Sequence, residues 1–535
     1  MMVFASRRAL ANASLAGVSL LAVLTACTSP PPPSPTAQTE AKPTAAAAVA
    51  ASPTAAAPAP SPVASPAPAA APVAAASPPA VPSPAAAAPP SPPAVASPAG
   101  SPVAAAPPAP TPTLAPPPVV GASSAAGRIA AVHTLPDTPI GAFQNATLPG
   151  SIPNDRKMLL GGIGSDLWHA PGDAPDEFWA ITDRGPNGQV PVNLIQRRTF
   201  PIPEFNPAIL KIRAAGGTIA ILETIPIVGQ SGKPVTGLSN LDVKDEPPYD
   251  DRAETLLPYN VNGLDTEGLV RLKNGEFWVA EEYSPSILRI DPSGKVVKRY
   301  LPQSLELPGA DYPIVEALPA VYGKRKINRG FEGLALSPDE RTLFIILQSP
   351  LLNPDTATGN PSRMCRILVF DIATEKVTAE YVYRLEAVGD FDLTANRPAT
   401  EMKLSAAIGL SADSLLVLER TDWAAKIYRV ELPQATNILG SKWDDSAILP
   451  TLEASNNPAA IGVEVLPKSL VIDLQEIPGI PDKIEGIALV NPTTLVIAND
   501  NDFDISTFDA AGNHQGPGAQ SRLLFIILTT PLPMQ

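Results

Sequence analysis

The chain has 535 residues, a net charge of -14 and only 17% charged residues, with 67 prolines, three histidines and two cysteines. This acidic balance excludes nucleic acid as a partner, because a phosphate backbone needs a basic face. The sparse histidine and cysteine exclude a zinc or copper centre built from nitrogen and sulfur ligands, and they leave no disulfide framework.

In chain order, Arg7-Arg8, an apolar run from Ala9 to Leu24 and Leu24-Thr25-Ala26-Cys27 come first. This resembles a bacterial lipoprotein signal peptide over residues 1–26, cleaved before Cys27, which then carries the lipid. An ordinary signal peptide or an uncleaved anchor would share the apolar run, but the small residues before a lone cysteine favour the lipobox. Residues 27–126 are almost entirely Pro, Ala, Ser, Thr and Val and hold about thirty of the chain's prolines. Such a segment forms neither helix nor sheet ladder and has no apolar partners for a core, so it is expected to be a disordered tether reaching at most about 300 Å. The expected location is outside the cytoplasm, anchored by lipid to the cell envelope, with the membrane touched only through that anchor.

The folded part, 127–535, is built on a recurring phrase: Asp265-Thr266-Glu267-Gly268-Leu269-Val270, Gly330-Phe331-Glu332-Gly333-Leu334-Ala335 and Lys483-Ile484-Glu485-Gly486-Ile487-Ala488. Each copy opens a short apolar strand followed by a turn and a second strand. The fullest unit runs Glu267 to Leu272, a turn at Lys273-Asn274-Gly275, Glu276 to Glu282, Ile287 to Asp291 and Lys295 to Leu301. This is a four-stranded antiparallel meander, the blade of a β-propeller. Met158 to Trp168 with Glu177 to Thr182, Ile209 to Ala214 and Thr218 to Ile225 predicts a unit upstream. Gly333 to Leu336 with Thr342 to Gln348, Cys365 to Ile372 and Val377 to Leu385 predicts another. Leu404 to Leu432 and Ile484 to Leu528 each supply three strands more. The reading is therefore an all-β propeller with five blades visible and room for a sixth in 433 to 480. A closed ring leaves no edge that demands a partner, so a monomer is expected. Cys365, inside an apolar strand, reads as packing.

In an antiparallel pair the start of the first strand lies beside the end of the second, so both sit on one rim. Glu267, Glu332 and Glu485 open first strands. Second strands end in Thr182-Asp183-Arg184, Ala280-Glu281-Glu282, Leu347-Gln348-Ser349, Leu418-Glu419-Arg420 and Ala498-Asn499-Asp500-Asn501-Asp502. Carboxylates crowded at one mouth repel one another, and a hard divalent cation with oxygen ligands, calcium most simply, removes that penalty. Arg184, Arg329, Arg420 and Lys483 stand beside the same motifs and suit an anionic substrate such as a phosphate. The alternative is that these glutamates are solvated or hold the ring closed, with the following Gly letting backbones approach. No Gly-x-Ser-x-Gly elbow, histidine triad, P-loop or dinucleotide fingerprint occurs.

Trp179 to Gly185, Asp265 to Val270, Phe277 to Tyr283, Asn328 to Leu336, Leu416 to Arg420 and Lys483 to Asp502 together resemble the bacterial phytase-like family, described by esterase-like activity of phytase. The resemblance spans about 128 to 530. It implies an exported propeller that hydrolyses small-molecule esters or phosphoesters, with calcium holding the substrate and activating water. On that reading Glu332, Arg184 and Arg420 are the expected catalytic groups, and Arg329, Lys483 and Asp183 bind substrate. Glu267, Glu485, Glu282 and Asp500 hold the ion, with Glu332 joining them. Glu419 belongs to the same matched motifs. A non-enzymatic stalked propeller, or a lactonase-like enzyme on a similar metal centre, would need a different or overlapping use of the same rim.

Overall fold

Alternate residues along the second strands face different neighbours, which explains why these strands read as unbroken apolar runs. Phe277 and Val279 pack toward Trp179 and Ile181, whereas Trp278 and Ala280 pack toward Leu343 and Ile345. Strands buried on both faces have no polar side to alternate with. The computed structural model describes residues 126–533 apart from 242–243, 392–396, 506 and 517–519. The signal peptide, Cys27 and the tether up to residue 125 lie outside the described residues.

Five four-stranded blades are present among the described residues. Blade 1 is Leu167–Trp168, Glu177–Ile181, Ala208–Ala215 and Thr218–Pro226. Blade 2 is Thr266–Arg271, Phe277–Glu281, Ser286–Ile290 and Val296–Pro302, with Ile314–Leu318 added parallel at its outer edge. Blade 3 is Phe331–Leu336, Thr342–Leu347, Met364–Asp371 and Lys376–Arg384. Blade 4 is Lys403–Gly409, Ser414–Arg420, Ala425–Glu431 and Lys468–Asp473. Blade 5 takes Ile484–Asn491, Thr494–Asn499 and Arg522–Leu528 from the end of the chain and Gly127–Thr134 from the start of the described part. That last strand pairs antiparallel with Arg522–Leu528 from Gly127↔Leu528 to Thr134↔Arg522, closing the ring. First strands of successive blades adjoin around the axis, and one apolar core fills each of the five spaces between blades. No helix among the described residues is long and apolar enough to cross a membrane.

Two expectations are corrected. The stretch 433–480 holds no sixth blade: it supplies the fourth strand of blade 4 and, before it, short 3-10 turns that cover the outside of blade 3. There Ile438, Trp443, Leu452 and Val463 pack on Met364 and Val382, and the fully buried Arg366 donates to Glu380 at 2.9 Å and Glu453 at 2.8 Å. The strand expected from Met158 shrinks to Leu167–Trp168. The segment before it presses against blade 5 instead, and a Cβ on Gly164 would stand 2.1 Å from the Asn499 carbonyl oxygen.

The glycine of the recurring phrase has the same cause. A Cβ on Gly333 would lie 2.2 Å from the Ser405 carbonyl oxygen of the next blade, a contact no rotamer can relieve. Gly333→Ala is expected to destabilise the protein by about 1–3 kcal/mol in urea unfolding. Gly486→Ala, with its nearest contact at 3.0 Å, should do less; an equal or larger effect at Gly486 would contradict this account. Blade 1 carries Asp166 at the corresponding place. Its carboxylate accepts the Leu167 N–H at 2.8 Å and the Leu269 N–H at 2.9 Å, tying blade 1 to blade 2, and burial pushes the carboxyl well up.

Candidate active site at the propeller mouth

The phrase places its glutamate by a break in strand pairing. Phe331 pairs with Leu347 and Gly333 with Ile346, leaving Glu332 as the extra residue of a β-bulge. Glu485 stands likewise between Ile484↔Asn499 and Gly486↔Ala498. Glu267 lies in the bulge between Thr266↔Glu281 and Leu269↔Val279. Such a bulge re-aims one side chain, and here it turns each glutamate into the axial mouth. Ser405 holds the same position in blade 4, between Leu404↔Glu419 and Ala407↔Val417, and Ser165 the equivalent one in blade 1. A second ring comes from the ends of the second strands: Asp183, Glu282, Gln348, Arg420 and Asp500.

Apart from Ser405, these residues line one cavity of about 100 Å³ whose walls are entirely polar. All ten residues expected at the site, Asp183, Arg184, Glu267, Glu282, Arg329, Glu332, Arg420, Lys483, Glu485 and Asp500, lie on its wall. Ser165, Asp265, Asn328, Gln348, Lys403 and Asp502 join them without having been singled out. Gln348 and Asp502 were legible as second-strand ends and Asp265 as part of the phrase, whereas Ser165, Asn328 and Lys403 carried no repeat signal. Glu419 is not at the mouth. One residue before Arg420, it points the other way and accepts from Tyr383 Oη and Lys468 Nζ, both at 2.7 Å.

The cations are mostly committed. Arg420, 1% exposed, bonds Glu485, lies 3.4 Å from Glu332 Oε1 and 3.2 Å from Asp422 Oδ1, and donates to Ser405 Oγ at 2.8 Å. Arg184 is 3.1 Å from Asp265 and 3.6 Å from Glu246. Lys483 pairs with Asp502 and, at 3.2 Å, with Asp500. Lys403 pairs with Asp422 at 2.5 Å. Arg329 differs: among the described residues it has no ion pair, and its Nη1 is buried without a hydrogen-bond partner. The guanidinium groups of Arg184 and Arg420 are thus both taken up by buried acids, whereas among the described residues that of Arg329 is not.

The acids show the converse pattern. Gln348 Nε2 bridges Glu282 Oε1 at 2.8 Å and Glu332 Oε2 at 2.5 Å. The carboxylate of Glu267, a residue only 8% exposed, has no hydrogen bond and no ion pair among the described residues. Its carboxylate belongs to two triads, with Asp265 and Glu282 and with Glu332 and Glu485, in each of which the oxygens lie within 4.8 Å of one another. Burial, and then Glu332, Asp265, Glu282 and Glu485, push its carboxyl well above the usual range. Burial and neighbouring acids likewise raise Asp183 and Glu282. Burial lifts Asp500 to about 8 against the pull of Lys483. The unused donors are all oxygen, since Ser165 Oγ and Gln348 Oε1 are also buried without a partner. That set fits a hard divalent cation and no soft one.

A family model described as Phytase-like, esterase-like activity of phytase, matches residues 159–503. A secreted protein of Arthroderma benhamiae is 28% identical over 291 residues, a match covering 46% of this chain and 56% of that relative's length. Among solved structures, Pseudomonas fluorescens PhoX in complex with vanadate is similar at 9% identity and a TM-score of 0.32, covering 77% of this chain and 97% of that one. The calcium-binding protein regucalcin of Agrobacterium tumefaciens is similar at 11% identity and a TM-score of 0.29, covering 70% and 93%. Likeness this distant carries no inference about chemistry.

Proposed function

As the chain belongs to the phytase-like family, the hydrolases of phytase and esterase type, we propose that its acidic mouth hydrolyses small-molecule ester or phosphoester bonds with a divalent cation, calcium most simply, seated at Glu267. The observation that carries this reading is a buried carboxylate shared by two triads and given no counter-charge among the described residues. Glu267 would hold the ion together with Glu332 and Glu485, or together with Asp265 and Glu282. When bound, the ion supplies Lewis-acid polarisation of the ester oxygen and a lowered pKa for a bound water.

The chain's own residues do the rest. Arg420 fixes Glu332 and Glu485, and Gln348 fixes Glu282 and Glu332, so the donor set is preorganised. Arg329 Nη1 is the donor for the charge that develops on the substrate's oxygens. Asp183 and Lys483 line the same chamber. Lys403 adds positive charge beside Arg329, and burial, then Arg420 and Arg329, hold its ammonium down at about 8. It is charged below that pH and neutral above it. Competitive inhibition by inorganic phosphate is therefore expected to weaken as pH rises through about 8, and a phosphate inhibition constant flat from pH 7 to 9 would contradict the assignment. Export fits the secreted relative, and a lipid anchor at Cys27 with the 27–126 tether would hold the propeller away from the envelope. Assaying the full chain on p-nitrophenyl phosphate, p-nitrophenyl acetate and phytate, with calcium and with a chelator, tests the reading: calcium-dependent release is expected, and no turnover on any of them overturns it.

A further inference from the structure

We infer that the substrate carries one apolar group of aromatic size, seated in a groove between blades 4 and 5 beside the mouth; the inference rests on the hydrolase reading above. The chamber at Glu267 and Arg329, about 100 Å³ and polar on every wall, has room for the reacting head of a substrate and little else. On the same rim a groove of about 300 Å³ opens between the loop that follows Arg420 and the connection 474–484. Trp423, Leu474, Ile477, Ile480 and Pro481 line it, and Lys483 lines both spaces. The two walls are tied at their junction, where the Lys483 N–H donates to the Asp422 carbonyl oxygen at 2.7 Å. Asp422 in turn holds Lys403 and Arg420 of the chamber, so groove and chamber share one frame.

Trp423 is 45% exposed, and the Arg397 guanidinium, 3.4 Å from the centre of its ring, steadies it. A large aromatic surface left open in a groove that shares Lys483 with a charged chamber matches the division of labour in small-molecule sites, where apolar walls bind and a few polar groups orient. Charge points the same way. Among the described residues the chamber offers one uncommitted guanidinium, Arg329, against an excess of carboxylates, so a polyol bearing many phosphates meets repulsion over most of its surface. A monoester with a single small head and an aryl or compact alkyl group fits both spaces.

The test measures equilibrium binding of 1-naphthylmethylphosphonate and methylphosphonate to the calcium-loaded full chain and to Trp423→Ala and Ile480→Ser. The aryl phosphonate is expected to bind at least about tenfold tighter, the scale of one well-seated apolar group. Each substitution should remove most of that advantage and leave methylphosphonate affinity unchanged. Equal affinity of the two phosphonates, binding of neither, or an aryl advantage intact in both variants overturns the inference. The hydrolase reading fails separately: an aryl advantage lost in the variants, without turnover of 1-naphthyl phosphate or 1-naphthyl acetate, leaves the groove standing as a ligand site and removes the enzyme.

Discussion

Glu267→Gln is expected to raise the thermal midpoint of the chelated protein, to abolish the further rise that calcium gives the wild type, and to lower turnover by at least about 10²-fold. The first effect has an unusual sign for a change at a buried polar residue, and it follows from the crowding. The folded carboxyl sits well above its ordinary value because it is buried and faces four other acids. A carboxyl raised on folding contributes stability that is complete below its unfolded value of about 4.3 and is lost as pH rises through the folded one. Each unit of that shift is worth about 1.4 kcal/mol. Glutamine keeps the shape and has no proton to lose, so the variant gains on the wild type across that window and matches it near pH 3. With calcium the order is expected to reverse, because an ion bound by the folded wild type alone would stabilise it by mass action. A variant less stable than wild type in chelator at pH 7 would mean that Glu267 holds the ring together and does not await a cation.

Arg420→Met carries the second large effect, a loss of about 3–5 kcal/mol in denaturant unfolding with the m-value unchanged. Its guanidinium is 1% exposed and is the shared partner of Glu332, Glu485 and Asp422. Removing it leaves buried carboxylates facing one another, and breaking such a cluster from one side costs far more than the net worth of the pair. The double variant Arg420→Met with Glu485→Gln should recover part of the loss, since the two residues touch and their effects are coupled. Strict additivity would show that the cluster is not the cause.

The contrast between these two residues marks what the sequence could and could not reveal. The phrase around Glu267, Glu332 and Glu485 reported the bulge and the close approach of neighbouring inner strands, because both recur wherever a blade begins. The polar ends of the second strands reported the second ring of the mouth. Where a blade departs from the phrase the signal vanished: Ser165 and Ser405 occupy glutamate positions, and Asp166 replaces the glycine. The strand that closes the ring was invisible because Gly127 meets Leu528 across almost the whole folded part, a pairing no local pattern announces. Which arginine is free was equally hidden. Arg184 is taken up by Asp265 and by Glu246 from a distant loop, Arg420 by acids of two other blades' strands and its own loop, and only in three dimensions is Arg329 left without an ion pair. The room left for a sixth blade in 433–480 is filled otherwise for a related reason. Ahead of the strand Lys468–Asp473, its Ile438, Trp443, Leu452 and Val463 pack as a cap on Met364 and Val382.

The most direct measurement is calcium binding by the chelated full chain in equilibrium dialysis, with Glu267→Gln alongside. A cation seated on the shared carboxylate predicts saturable binding by the wild type that the variant loses by tenfold or more. Binding that is absent from the wild type up to millimolar calcium, or identical in the two proteins, would contradict it.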